Sequence, residues 1–526
     1  MADVKDEKRS SSEQEQNNHG NENNAAIQST GTDADVGTVD GKSIAVERIE
    51  YPEGSPEAYY RNFEPIAALN LPDWQATERA LVRWLDWTLL PTVWILYLNN
   101  YLDRTNIAQA RLNTFDEDLG LRGDDYNNAV AVLTIGYMLF QLPSNMLLTR
   151  VRPGLYLPLT AIVWSGVSAA TAGVRNSQQL IVVRFFLGCL EAPLFPGSVY
   201  LLNCWYTRKE IALRTAILYS GLVLAQALSG VLAAGIFSGM EGLAGLAGWK
   251  WLFIIESLTS TVCGIFAFWT LPDYPHSKTG SQRYFMTEDM RRLAEARIVA
   301  DRVTGSSGTG RVVDGIKLAV TDLKTWSFVL LNIFMTASYG FNFFFPTLVR
   351  GLGIGDSITS LLLTSPPYLL GACVSFFASW NSDRIRERGY HICCGLLAAA
   401  IGYVITISTD NVPARYAASF LFAPGSFSAN ALVYTWAVST LGTTPEKRAA
   451  AGAIVNIFGH LGNVVSPYFF RDEEQPVYRT AFILMLVFGA TAFGIAFGTK
   501  MFLKFHNKKL RKRSDETAEV YNPYIL

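Results

Sequence analysis

From Trp84 onward the chain alternates long apolar blocks with short polar ones. Each block runs for about 18–25 residues, long enough as an α-helix to cross about 30 Å of hydrocarbon. Twelve blocks can be counted, near residues 86–106, 128–148, 155–174, 179–204, 212–236, 249–271, 325–348, 357–380, 391–409, 414–439, 448–470 and 478–503. Between the sixth and seventh lies a hydrophilic link, "DYPHSKTGSQRYFMTEDMRRLAEARIVADRVTGSSGTGRVVDG", with room for one surface helix. The pattern predicts an all-α membrane protein of 12 transmembrane helices arranged as two six-helix pseudo-repeats. Its parts are a disordered tail over 1–80, a six-helix bundle over 81–271, a central loop over 272–324, a second six-helix bundle over 325–503 and a tail over 504–526. The first tail ("DEKRSSSEQEQNNHGNENN") is polar and unpatterned, too poor in apolar residues to pay for its own ordering.

The placement of charge orients these helices. One set of connections carries Arg150, Arg152, Arg208, Lys209, Arg214, the central link, Arg384, Arg386, Arg388, Lys447 and Arg448, and the tail "KFHNKKLRKR" belongs with it. The alternate connections are acidic, as in "NTFDEDLGLRGDDYN" and "RDEEQPVYR". Positive charge marks the cytoplasmic side, and an even number of spans puts both termini there. Total charge adds little: 44 Lys+Arg against 45 Asp+Glu gives no basic excess for nucleic acid. The six cysteines lie in or beside apolar blocks without metal spacing and read as small core residues. The acidic start lacks a cleavable signal pattern, and a first span can serve in its place. Lys5, Lys8 and Ser10–Ser12 are candidate modification sites in the tail.

The halves echo one another. Arg184, Pro196-Gly197-Ser198 and Arg214-Thr215-Ala216 recur about 230 residues later as Arg415, Pro424-Gly425-Ser426 and Arg448-Ala449-Ala450. Parallel repeats of this kind build transporters whose site lies between the halves near the midplane.

Polar side chains inside the blocks carry the chemistry, since a charge at the centre of a membrane helix costs about 2.5–3.5 kcal/mol even on the lenient scale. In "LYLNNYLDRTNIAQARL", Asn99, Asp103 and Asn106 share one helical face, and Asn100 and Arg104 share another about 100° away. Adjacent residues do not face each other, so Asp103 and Arg104 each need a separate partner or a water-filled cavity. The bland alternative is that both reach headgroup water at the outer mouth. In "RFFLGCLEAPLFPGSVYLLNCWY", Arg184 and Glu191 stand two turns apart on one face, beside a backbone that Pro193 and Pro196 interrupt. A carboxylate there, flanked by Leu190, Leu194 and Phe195, suits a proton carrier; a permanent brace with Arg184 or another arginine is the structural alternative. Asn456, His460 and Asn463 line one face of the eleventh span, where a helix-packing hydrogen bond is the plainer role for the histidine. Tyr339 and Asn342 in "ASYGFNFFFP", with Gln226, Asn430 and Tyr434, are candidate cavity-lining residues, and Trp205 and Tyr206 suit an interfacial belt. "SDRIRERG", from Ser382 to Gly389, places Asp383 before Arg384 and Arg388, a charge pattern able to clamp two helix ends and time a rocking motion.

The sequence shows no Walker loop, no HExxH and no GxSxG elbow, so neither an ATP-driven pump, an enzyme nor a bound cofactor is expected. The 6+6 blocks, the central link and "SDRIRERG" resemble the major facilitator superfamily, with its loop motif G-x-x-x-D-R-x-x-R-R-G. The loop after the second span, "SNMLLTRVRPG", lacks the Asp. More narrowly, "YLDRTNIAQARL", "GYMLFQLPSNMLLTR", "RFFLGCLEAPLFPGSVYLLNCWYTRKEIALRTA" and "NAL…TWAVST" resemble the fungal allantoate permease family of anion:cation symporters across about residues 70–505. That resemblance implies the major facilitator fold and import of a small organic anion such as a vitamin, ureide or amino-acid derivative. It implies proton-responsive roles for Asp103 and Glu191 and substrate contact for Arg104, with Thr105 where Ser is common. The substrate-lining candidates are then Arg104, Asn100, Gln226, Tyr339, Asn342, Asn430, Tyr434, Asn456 and His460, and the gating candidates Arg184, Asp383, Arg384 and Arg388. The expected partners are the anion, protons and the lipid bilayer, in a monomer at the plasma membrane or, alternatively, a vacuolar or other internal membrane. The competing readings are a proton-antiport exporter of a secondary metabolite or drug, against which the fifth span's lack of proline counts, and a non-transporting nutrient sensor.

Overall fold

In a computed structural model the described residues are 36–39, 42–45, 63–148, 150–301, 312–441, 445–517 and 524. Lys5, Lys8 and Ser10–Ser12 fall outside them. The chain divides into two compact units, Met1–Glu53 and Gly54–Leu526. The first holds an antiparallel hairpin, β1 (Val36–Val39) and β2 (Lys42–Ala45), with Val36 opposite Ala45.

The second unit is helical: α1 (Glu64–Ala67), α2 (Trp74–Trp87), α3 (Leu89–Ala110), α4 (Phe115–Leu119), α5 (Asp125–Leu148), α6 (Pro153–Ala170), α7 (Ser177–Glu191), α8 (Leu194–Trp205), α9 (Arg208–Met240), α10 (Gly248–Thr270), α11 (Gln282–Phe285), α12 (Glu288–Asp301), α13 (Val312–Thr321), α14 (Leu323–Ser338), α15 (Phe345–Gly351), α16 (Ser357–Ile385), α17 (Gly389–Ser408), α18 (Val412–Thr440), α19 (Pro445–Gly459), α20 (Leu461–Val465) and α21 (Arg479–Thr517). Nine helical segments among the described residues are long and apolar enough to cross a membrane, α7–α8 and α19–α20 each counting as one. A tenth is reached if α13 and α14, bent by 73°, count together. α3 and α18 fall below that measure because Asn99, Asn100, Asp103, Arg104 and Asn106 in one, and Arg415 and Asn430 in the other, dilute their apolar content.

Four parts differ from the sequence reading. Helix α1 lies inside the segment 1–80 expected to be disordered, and α2 begins in it at Trp74 and runs on to Trp87. Leu81 and Leu85 of α2 are buried, and Ile66 joins Leu293, Ala296 and Ala300 of α12 in a small apolar cluster. The central link holds α11, α12 and α13, and the fully buried Arg297 of α12 ties it down by bonding Glu78 of α2, Glu210 of α9 and the Trp205 carbonyl. The boundary at 503 falls within α21, whose Lys- and Arg-rich continuation is made of good helix formers. Trp205 and Tyr206, read as an interfacial belt, are buried instead: the indole donates to the Asp273 carbonyl and the phenol to Asp86.

Helices α3 to α10 pack on one another, as do α14 to α21, and the two groups meet chiefly along α9–α16 and α5–α20. Where α5 crosses α7, Gly136 and Gly188 let the backbones touch. A Cβ on Gly188 would lie 2.0 Å from the Leu133 carbonyl oxygen. Gly188→Val is therefore expected to destabilise by at least the roughly 1–3 kcal/mol of an overpacked core and to lower the melting temperature of the solubilised protein. Gly166→Val, where nothing lies within 4 Å of the added carbon, should leave it unchanged. At the other group's polar end, Asp322 caps α14 through the Lys324 N–H at 3.0 Å and accepts from Lys447 Nζ of α19 at 2.6 Å. Burial pushes its carboxyl up, but these two donors outweigh burial and hold it below the usual carboxylate range. The pairing thus contributes stability at neutral pH that is lost on acidification through that lowered value.

Candidate functional site

Between the two helix groups lies a cavity of about 1180 Å³, lined from both sides. All nine substrate-lining candidates border it: Asn100 and Arg104 on α3, Gln226 on α9, Tyr339 at the end of α14, Asn342 in the turn that follows, Asn430 and Tyr434 on α18, Asn456 on α19 and His460 at the α19–α20 break. Sequence reading missed the aromatic part of the wall: Tyr97, Tyr101, Tyr137 and Tyr219 also line it. Their signal was faint, because tyrosine in a membrane helix is as readily an interfacial residue.

The cavity has one open end. Its lining extends to Asn203, Asp383 and Arg388, where the basic connections lie. At the acidic end the groups touch. Tyr126 donates to the Phe343 carbonyl at 2.9 Å, and Tyr468 to Asn128 at 2.7 Å. Phe344 stacks on Phe470 with centroids 4.1 Å apart, and Arg111 lies over the Tyr126 ring and 3.6 Å from Asp472. Deeper in, Tyr339 donates across the groups to Gln226 at 3.2 Å.

The charges at the heart of the site are joined by backbone breaks. Pro193, with no N–H, ends the α7 ladder and leaves Glu191 as its last residue. There Glu191, fully buried, accepts from Arg104 Nε at 2.5 Å, and Arg104 is 16% exposed to the cavity. The bland alternative of two charges in headgroup water is thereby overturned. The Arg104 guanidinium also sits 4.5 Å from the Tyr137 ring centroid and 5.1 Å from that of Tyr101, within cation–π range. Tyr137 in turn meets the edge of His460, whose Nδ1 lies 3.3 Å from Asn463. Asp103 is not in the cavity wall. It points the other way, fully buried, and accepts from Trp164 at 3.1 Å, Ser168 at 3.0 Å and Ser260 at 3.2 Å. The expectation of separate partners for Asp103 and Arg104 holds.

Arg184, a gating candidate, lies in the cavity wall as Asp383 and Arg388 do, 1% exposed, with Nε and Nη2 lacking partners. It does not pair with Glu191, which Arg104 occupies. Of the remaining gating candidates, Arg388 bonds Asp383 at 3.1 Å and Ser439 at 3.1 Å, while Arg384 lies over Trp380. The first group builds its own version of this clamp. Asp273, from beyond the sixth apolar block, bonds Arg152 Nε and the Gly154 N–H, each at 2.9 Å, and so stands in for the Asp that "SNMLLTRVRPG" lacks. Asp273→Ala should destabilise by about 1.5–3 kcal/mol, the range for hydrogen bonds to charged groups. Arg152→Ala, whose side chain is 53% exposed, should cost less. Thermal melts of both variants check the ordering.

A model of the Major Facilitator Superfamily matches residues 93–467. The chain belongs to that superfamily. Relatives of this facilitator include the MFS-type transporter cnsO of Penicillium expansum, 31% identical over 459 residues, covering 85% of this chain and 88% of the relative. The major facilitator-type transporter hxnP of Emericella nidulans is 32% identical over 413 residues, covering 76% and 81%. Among solved structures, a bacterial homologue of the human lysosomal transporter Spinster superposes with a TM-score of 0.63 at 17% identity, covering 79% of this chain and 97% of that one. A D-xylose–proton symporter does so with 0.60 at 14%, covering 78% and 96%. The facilitator is thus a multi-pass membrane transporter with the all-helical fold of its superfamily.

Proposed function

We propose that this facilitator imports a small organic anion together with protons, by alternating access, as a member of the allantoate permease family. The observation that carries the reading is the Arg104–Glu191 ion pair in the wall of a cavity shared by both helix groups. An incoming carboxylate competes with Glu191 for the guanidinium, which can hold it by two hydrogen bonds. Glu191, released into a buried site, takes a proton because an unpaired carboxylate there is costly. Anion and proton enter together, and the net charge of the site is unchanged. Arg184, with two unsatisfied N–H groups, is a second anchor for the anion. Asp103 then supports α3 from behind, and its proton-responsive role is indirect.

On this reading α3 and α18 are spans as well, giving twelve, and both termini and the open end of the cavity face the cytoplasm. The acidic-end contacts form the closed outer gate, and the Asp383–Arg388 and Asp273–Arg152 pairs engage as the halves rock. The protein acts as a monomer in the plasma membrane. Driving force is adequate: about 1.4 kcal/mol per pH unit, and about 2.3 kcal/mol per charge per 100 mV where charge moves.

One observation suits a bulkier compound, as the exporter reading would require. The cavity of about 1180 Å³ exceeds the roughly 300–1,000 Å³ of a drug-sized pocket. Uptake of labelled nicotinate, pantothenate, biotin, allantoate and a dipeptide, at acidic and neutral pH and with a protonophore, separates the readings. Protonophore-sensitive uptake of one acid, faster at acidic pH, supports import; none, with normal surface expression, supports export.

A further inference from the structure

Glu256 is a buried acid that the cavity does not use. It lies on α10, is 5% exposed, and neither carboxyl oxygen has a hydrogen-bond partner. The helices packed on α10 offer it no cation. α3 presents Asp103 and Asn106, while α6 presents Trp164, Ser165 and Ser168, none of them ionisable. α9 carries its own charged side chains near the basic end, where Arg214 pairs with Asp86. Arg184 of α7 approaches Phe253, one turn earlier on α10, and Lys250 lies over Trp249. The ionisable group that acts on Glu256 is Asp103, a like charge. Asn106, on the same α3, is itself fully buried with neither amide atom hydrogen-bonded.

The two acids are unequally supported. Asp103 accepts three hydrogen bonds and can keep a negative charge; Glu256 accepts none. An ionised carboxylate without partner or counter-ion in a low-dielectric interior takes up a proton instead. Around the α3–α7–α10 contact the charges balance when these two acids hold one proton between them: one negative charge from the pair and one from Glu191 stand against Arg104 and Arg184.

We propose that Glu256 is a resident proton site inside the first helix group, separate from the transport cavity, where it and Asp103 together hold one negative charge. When the proton leaves for water, the carboxyl O–H bond breaks and two carboxylates face each other across the α3–α10 contact. That contact then weakens, so the site sets an alkaline limit on the folded bundle. Nothing in this depends on the Arg104–Glu191 exchange, and neither reading falls with the other.

The test is infrared spectroscopy of the full-length protein in lipid nanodiscs, without substrate, titrated from acidic to alkaline pH. The expected result is a protonated-carboxyl C=O band that persists at pH 7, where an exposed glutamate with a pKa of about 4.3 is ionised. The band should be lost in Glu256→Gln. In Asp103→Asn, relieved of the like charge, Glu256 ionises more readily and the band should be lost at lower pH than in wild type. Melting temperature supplies a second readout: in wild type it should fall as pH rises through the loss of the band, whereas in Glu256→Gln, a mimic of the neutral acid, it should not. A wild-type spectrum at pH 7 without a Glu256-dependent band overturns the proposal. So does a band that appears only when sodium is removed, which would make this a metal-cation site.

Discussion

Arg104→Ala is expected to abolish uptake while leaving a chain that reaches the membrane poorly. The substitution removes the partner of Glu191 and leaves a fully buried carboxylate unpaired. Breaking a buried pair from one side costs about 3–5 kcal/mol, equivalent to at least a hundredfold in an equilibrium constant. Two effects are mixed in that number, the stability of the bundle and the affinity for an anion. The double variant Arg104→Ala/Glu191→Gln separates them, because a neutral amide no longer needs a counter-ion. Surface expression should recover in the double variant and uptake should stay at least a hundredfold below wild type. Arg104→Lys should recover little, since a point charge cannot reproduce the guanidinium fork or its stacking on Tyr137. Normal uptake by the double variant would remove Arg104 from the substrate's path.

Glu191→Gln alone should leave binding and exchange intact and remove accumulation. The amide keeps the shape of the side chain and frees Arg104 for the anion, but it carries no proton. With one proton per anion, an inward gradient of two pH units supplies about 2.7 kcal/mol, enough for roughly hundredfold accumulation. That hundredfold should collapse to equilibration, and the acceleration at acidic pH should flatten. Counterflow of labelled against unlabelled substrate should continue at a rate near wild type. If Glu191→Gln still concentrated its substrate with an unchanged pH profile, the proton would have to travel elsewhere.

Much of this site was legible before the fold was. Every residue chosen as a cavity-lining candidate borders the cavity, because each was a polar or aromatic exception in an apolar block, and such exceptions are too costly to face lipid. The need of Asp103 and Arg104 for separate partners followed from the 100° between neighbours on a helix. The identity of those partners did not. Asp103 meets Trp164, Ser168 and Ser260, and Arg104 meets Glu191, 87 residues away. Arg184 and Glu191 share a helical face, yet the arginine stands without the glutamate because Arg104 holds it. Glu256 was open to the same argument as the other exceptions, since "FIIESLTS" sets one carboxylate among apolar neighbours. Asp273 was not, for nothing local in "LPDYP" points to a loop 120 residues earlier.

The division has a physical origin. Transfer of side chains from water to hydrocarbon is nearly additive along a chain, so the order of residues alone determined where the apolar helices run, which connections are basic and which side chains are exceptions. It also reserved a role for tails and linkers by their lack of apolar content, a weaker argument, and α1 and the start of α2 show where tertiary contacts overrode it. Pairing and access are not additive. Whether a buried charge is neutralised, and by which residue, depends on distances of a few ångströms between segments far apart in sequence. Only the packed helices decided that Arg104 binds Glu191, that Asp103 turns from the cavity, that Asp273 completes the first group's clamp, and that the acidic end is closed while the basic end stands open.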